Sequence, residues 1–237
     1  IKHPILTADE MEKIRVLNRP GFKTATLPIL FPASEGAAGL ERAIDGLCRK
    51  ASEVIHGGAT ILVLSDRGVD AGNAAIPSLL AASAVHHHLL RELTRTSMEL
   101  VVETGEAREM MHFALLIGYG ASAIYPYLAY ETIAGLIAEN NLNGNADFRA
   151  AKKNFIKATR KGLLKIIAKM GISTIQSYRG AQIFEAVGLN QSVIDKYFCG
   201  TPSRIGGVGL DVIAQETLAR HARAYHQDKL AGPDLES

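Results

Sequence analysis

Residues Ile61 to Pro77 read ILVLSDRGVDAGNAAIP. Its first four residues, with Ala59 and Thr60 before them, form a short apolar run rich in β-branched side chains. That is the pattern of a strand covered on both faces in a parallel sheet. Ser65 to Asn73 is polar and interrupted by glycine, which predicts a loop. Pro77 then opens a helix predicted to reach Leu93, because the N–H that proline lacks has no helical partner in the first turn. A strand, a polar loop and a helix in that order make the first half of a β-α-β unit.

The unit repeats in both directions. Upstream, Ala25 to Phe31 predicts a strand, and a helix follows from Gly39 to His56. Leu40, Ala43, Ile44, Leu47, Cys48, Ala51, Val54 and Ile55 place its apolar residues on one face. Before them, Thr7 caps a helix whose first turn carries Asp9 and Glu10, where the helix dipole favours acids. Downstream, strands are predicted at Met98–Glu103 and Ala121–Tyr125, with helices at Ala107–Gly118 and Glu131–Asn140. Asp147 caps a long helix to Met170. Ile172 to Tyr178 reads as a strand, and short helices are expected at Ala181–Ala186 and Gln191–Phe198. A glycine-rich turn at Arg204–Gly209 precedes a last helix, Leu210–Tyr225.

This alternation predicts an α/β fold with a parallel sheet and right-handed crossovers. An open doubly wound sheet and an incomplete (β/α)-barrel-like topology both fit it. Five predicted strands are too few for a closed eight-stranded barrel. One domain is expected over residues 1–230, with a tail at 231–237.

Composition narrows the function. Hydrophobic residues at 47% and charged residues at 21% match a globular protein, not a disordered one. Lys plus Arg is 26 against 24 acids, so the formal charge of +2 creates no long-range field for nucleic acid or a membrane. No apolar run approaches the roughly 20 residues of a membrane span. Cys48 and Cys199, the two cysteines, make neither a disulfide framework nor a cluster site, which fits a reducing, cytoplasmic setting. The chain opens on Ile1 rather than Met, as expected of a processed chain or a piece of a longer one.

Ligands of parallel α/β folds sit at the carboxyl ends of the strands. Ser65, Asp66 and Arg67 are predicted there, with Glu103 and Thr104, Tyr125, and Tyr178 with Arg179, and Asp70 and Asn73 lie in the loop that follows Arg67. An Asp66–Arg67 pair there holds a ligand or locks the loop to its neighbour. No nucleophile paired with a base is visible, which favours loop ordering and interdomain contact for Asp66, Arg67, Asn73, Glu103 and Arg179. Glu103 and Glu106 beside Arg108 form either a carboxylate pair or, as favoured here, a helix start capped by Thr104. His86, His87 and His88 stand about 100° apart on a helix and do not converge on one metal ion. The Gly206-Gly207-Val208-Gly209 stretch lacks the spacing of a dinucleotide fingerprint. Lys152, Lys153, Lys157, Arg160, Lys161, Lys165 and Lys169 form a solvated basic face over an apolar stripe; docking to an acidic neighbour is the second reading.

Long stretches carry a resemblance. ILVLSDRGVDAGNAAIPSLLAASAVHHHLL, LVVETGEAREMMHFALLIGYGASAIYPYLAYETI, KGLLKIIAKMGISTIQSYRGAQIFEAVGL and SRIGGVGLDVIAQETLARH resemble, in order, the central domain of the glutamate synthase large subunit. The resemblance implies an enzyme that makes glutamate from glutamine and 2-oxoglutarate, with electrons from a reduced nicotinamide or ferredoxin. An amidotransferase domain with an N-terminal cysteine releases ammonia, which passes through a tunnel to a barrel domain holding FMN and a [3Fe–4S] cluster. The central domain joins the two and has an incomplete barrel-like topology. Ile1 stands where a cysteine nucleophile would be needed, and Cys48 and Cys199 do not make a cluster, so no catalytic, cofactor-binding or metal residue carries over. The expected partners are the amidotransferase and FMN-binding domains of the same chain. The rival reading is a free-standing ligand-binding protein or enzyme that uses the Asp66–Arg67 loop.

Overall fold

The computed structural model describes residues 3–17, 19–141 and 147–225. The tail predicted at 231–237 lies outside the described residues. The elements run α1 (Ala8–Arg15), β1 (Thr24–Pro28), β2 (Leu30–Pro32), α2 (Gly36–His56), β3 (Ile61–Ser65), β4 (Asn73–Ala75), α3 (Ser78–Arg91), β5 (Glu99–Glu103), α4 (Met110–Gly118), β6 (Ala123–Tyr125), α5 (Tyr127–Ala138), α6 (Phe148–Lys169), α7 (Ile175–Tyr178), β7 (Ala186–Leu189), α8 (Gln191–Tyr197), β8 (Ser203–Val208) and α9 (Leu210–Tyr225).

The main sheet has four parallel strands in the order β1-β3-β5-β6. That order rises steadily along the chain, without the reversal that marks a doubly wound sheet. Side-chain alternation settles the layers. Leu62, Leu64, Leu100, Val102 and Ile124 pack with α2, α3 and α4 on one face. Val63, Val101, Ala123 and Tyr125 point to the other, where Leu6, Met11 and Ile14 of the first segment cover them. Every crossover helix therefore lies on the same side, as in a strip cut from a β/α barrel. The fold is α/β with an incomplete barrel-like topology. The face that would line a barrel interior is closed by α1. Burying Met11 and Ile14 there contributes roughly 1.5–3 kcal/mol each. Thr7 caps α1 in a reciprocal capping box with Glu10.

Four local expectations are corrected. The strand predicted over Ala25–Phe31 is two: β2 leaves the sheet and pairs antiparallel with β4, inside the segment after the polar loop. Ile172–Tyr178 is not a strand; its second half is α7, capped by the Thr174 side chain accepting from Ser177 N at 3.2 Å. Ala181–Ala186 forms no helix, and Gln182 sits at φ 53° before β7 begins. Arg204–Gly209 is not a turn but most of β8, parallel to β7. Gly207 serves close approach: a Cβ there would overlap the Gly188 carbonyl oxygen of the facing strand. The long basic helix α6 does bury a stripe, with Leu163 and Ile167 inside.

Candidate functional site at the strand ends

The carboxyl ends of β3, β5 and β6 form one rim, because parallel register sets Ser65 beside Glu103 and Glu103 beside Tyr125. Glu103 is completely buried, at 0% exposure. A buried carboxylate is tolerated only with partners, and Glu103 has three. Arg67 Nε donates to Oε1 at 3.0 Å, Ser65 Oγ donates to Oε2 at 2.6 Å, and Arg15 of α1 donates to Oε2. Arg67 also lies flat over Tyr127, its Cζ 3.9 Å from the ring centroid, and reaches Glu131 at 3.5 Å. Burial works against the Arg67 charge, but the bond and proximity to Glu103 prevail and raise its pKa.

Asp66 and Arg67 do not pair with each other. Asp66 is 3% exposed and bonds other groups. Its Oδ2 accepts from Thr104 Oγ1 at 2.6 Å and from Gly105 N at 2.9 Å. Its Oδ1 is buried with no hydrogen-bond partner. Burial raises the Asp66 pKa, an effect that the Thr104 and Gly105 bonds offset only in part. Asp66→Ala is therefore expected to cost about 2 kcal/mol by orphaning the Thr104 and Gly105 donors. Asp66→Asn, which keeps an acceptor there, is expected to stay within about 1 kcal/mol at neutral pH. Urea unfolding midpoints separate the two; equal losses would show that these bonds do not hold the rim.

Asn73 serves the loop directly. Asp70 Oδ1 accepts from Gly72 N at 2.9 Å, Asn73 N at 2.8 Å and Asn73 Nδ2 at 3.0 Å. The bonds to Asn73 lead in lowering the Asp70 pKa. Helix α9 clamps the same loop from outside: His221 Nε2 donates to the Asp70 carbonyl at 2.7 Å, and Tyr225 donates to the Val69 carbonyl at 2.9 Å. Between loop and helix runs a cleft of about 610 Å³ lined by Asp66, Arg67, Arg108, Tyr127, Arg220 and His221, among others.

Arg179 is not on this rim. With α7 in place of a strand, it bonds Glu99 at 2.7 Å and Ser122 Oγ at 2.6 Å, at the amino ends of β5 and β6. Glu106 is not part of a carboxylate pair with Glu103 either. It accepts from Ser78 N at 2.6 Å, closing the start of α3, while α4 begins three residues after Ala107, at Met110. The three histidines diverge: His86 accepts from Arg95 at 2.9 Å, His87 meets the Cys199 carbonyl at 3.1 Å, and His88 meets Ser52 at 2.8 Å. Among the described residues, no three His, Cys, Asp or Glu side chains gather as a metal site would require, and no helix is long and apolar enough to cross a membrane. Sequence reasoning missed Arg15, Tyr127, His221 and Tyr225. Arg15 lies 88 residues from Glu103, and no local pattern announces so distant a partner.

Such a strip places the chain among α/β folds of incomplete barrel-like topology, with the buried Glu103–Arg67–Arg15 cluster and the Asp66 cleft at its strand ends. The chain belongs to the glutamate synthase central domain family, whose match covers residues 1–190. It is 44% identical over 225 residues to the glutamate synthase (NADPH) large chain of Bacillus subtilis strain 168, covering 95% of this chain and 14% of that one. It is 43% identical to glutamate synthase (NADH) of Schizosaccharomyces pombe, covering 95% and 11%. It is 43% identical to the chloroplastic ferredoxin-dependent glutamate synthase of Oryza sativa subsp. japonica, covering 96% and 15%. The chain thus spans less than a sixth of these relatives. Among solved structures, a mutant flavocytochrome b2 with pyruvate bound aligns at TM-score 0.44 and 16% identity, over 80% of this chain and 39% of that one.

Proposed function

We propose that this chain is the connecting domain of a glutamate synthase large subunit, joining the amidotransferase domain to the FMN and iron–sulfur synthase domain, and that it has no turnover of its own. The observation that carries this reading is the Glu103 centre. At the strand ends, where β/α enzymes hold their chemistry, a fully buried carboxylate is shared by Arg15, Arg67 and Ser65. The partners follow from the relatives, in which this region is 11–15% of a much longer chain. Asp66, Arg67, Asn73 and Glu103 order the rim, and Arg179 orders the opposite end of the sheet; both ends offer rigid surfaces to neighbouring domains.

The residues present do not fit the cofactors of the full subunit. Iron–sulfur clusters take several cysteine ligands, and the chain has two cysteines, of which Cys48 is buried with its thiol pushed up to about 11. The one stretch resembling a phosphate cradle is the strand β8. Relatives named for NADPH, NADH and ferredoxin match at 44%, 43% and 43%, so the choice of electron donor is assigned to sequence outside this segment.

The purified chain is expected neither to bind FMN nor to hydrolyse glutamine; stoichiometric flavin absorbance after dialysis, or glutamate release from glutamine, would refute the reading. One observation favours a ligand-binding rival: the unpartnered Asp66 Oδ1 beside the 610 Å³ cleft. A thermal-shift series with flavins, nucleotides, glutamine and 2-oxoglutarate decides between them, since the rival requires a shift that Asp66→Ala abolishes.

A further inference from the structure

The β7–β8 ribbon is the least self-sufficient part of the molecule. It is a separate sheet of two parallel strands. Parallel strands occur almost only where both faces are covered, and a two-stranded sheet is marginal in water. Here Arg204 to Val208 are all exposed. Val187 and Ile205 are register partners, and both project into solvent, at 66% and 61% exposure. Val208 is 39% exposed on the same strand. An adjacent pair of exposed β-branched side chains on a parallel ribbon whose Ala186 and Leu189 pack inward is a surface open to a partner. Yet the ribbon is built with care. Gly207 lies against the Gly188 carbonyl, where a Cβ would not fit, Ala186 N donates to the Pro202 carbonyl at 2.9 Å, and Asn190 N donates to the Val208 carbonyl at 2.8 Å.

We propose that β8 is completed by an extended strand of the same long chain, from sequence beyond this segment, which pairs parallel with the free edge of β8 beside Ile205 and widens the ribbon into a larger sheet. Three observations select this occupant. The order β7-α8-β8-α9 is a running β-α repeat, and a right-handed crossover after a helix returns the chain beside the strand it left. The family match takes in β7 and stops at residue 190, before β8. The relatives, which cover 95% of this chain, carry several times its length in further sequence. The ribbon is then the seam where the central domain starts the next sheet. This rests on the reading of the chain as a connecting domain.

The test uses the full-length subunit. Amide exchange of residues 203–208 is expected to run at least about tenfold slower than in the isolated 237-residue chain, where only β7 pairs with β8. Ile205→Asp is expected to abolish that protection while exchange in β3 and β5 stays unchanged. Ile205→Cys treated with a short thiol–amine crosslinker is expected to join position 205 to sequence beyond 237 in the same chain. Amides at 203–208 that exchange as fast as in the isolated chain, or a crosslink joining two copies of the chain, would overturn the proposal. Either result leaves the connecting-domain reading intact, because that reading is judged by flavin binding and glutamine turnover in the isolated chain.

Discussion

Glu103→Ala is expected to lower the unfolding free energy by about 3–5 kcal/mol, the loss typical of breaking a buried ion pair by removing one partner. The cost does not arise from one bond. The carboxylate is at 0% exposure, and its removal leaves Arg67, Arg15 and Ser65 facing a cavity without an acceptor. Arg15 is the only one of the three on α1, so the same change also loosens the helix that closes the barrel-interior face. Glu131→Ala is the informative control. It faces the same guanidinium at 3.5 Å, but its side chain is 57% exposed, and a solvated pair of that kind contributes about 0–1 kcal/mol. Glu103→Gln, which keeps the shape and an acceptor but loses the charge, is expected to fall between them. Urea unfolding of the three variants measures the series. A Glu103→Ala midpoint no lower than that of Glu131→Ala would mean that the centre is ornamental.

This centre also shows what the sequence carried and what it did not. The strands that hold it were legible: ATILVL and MELVVE are apolar runs bounded by polar loops, and they became β3 and β5 within two residues. Their parallel pairing followed from the helix between them. The sequence alone therefore sets Glu103 and Ser65 on one rim. It does not set Arg15 there, because that contact crosses from α1 to β5 and depends on which face α1 covers. Apolar periodicity also left the doubly wound and half-barrel alternatives open, since both have the same alternation of elements. What separates them is the side of the sheet on which each helix lies, which the chain decides by handedness and by the position of the first segment. The failures at β8 and α7 share another cause. Glycine in Gly206-Gly207 suggests a turn, but the role of Gly207 is to let two backbones approach. Ile172–Tyr178 is rich in β-branched residues at its start, yet its apolar residues Ile172, Ile175 and Tyr178 recur at a spacing of three, and Thr174 supplies a side-chain cap for α7. Arg179 went to the wrong end of the sheet with that error.

The second large effect lies away from the rim, where Arg95 is buried at 9% exposure without a carboxylate. Its Nε donates to His86 Nδ1 at 2.9 Å, and its other nitrogens donate to the carbonyls of Met98 at 2.9 Å and Gly120 at 2.6 Å. To accept from a guanidinium, His86 must be neutral. Burial first, and the Arg95 charge second, lower its pKa from 6.5 to about 3. The unfolded chain takes up a proton near pH 6.5 that the folded chain refuses until about pH 3. The stabilisation is therefore complete above pH 6.5 and is lost as pH falls toward 3, by up to about tenfold in the unfolding constant per pH unit. Asp66 acts in the opposite sense: its pKa is raised on folding, so its contribution is present below its unfolded pKa and is lost as pH rises through the folded one. Comparing wild type with His86→Asn cancels Asp66 and the other carboxylates. Asparagine can still accept from Arg95 Nε but takes up no proton. The stability difference between the two proteins is expected to shift toward the variant by about one to two orders of magnitude in the unfolding constant between pH 6 and pH 4. Parallel stability curves over that range would show that His86 is not held neutral by Arg95.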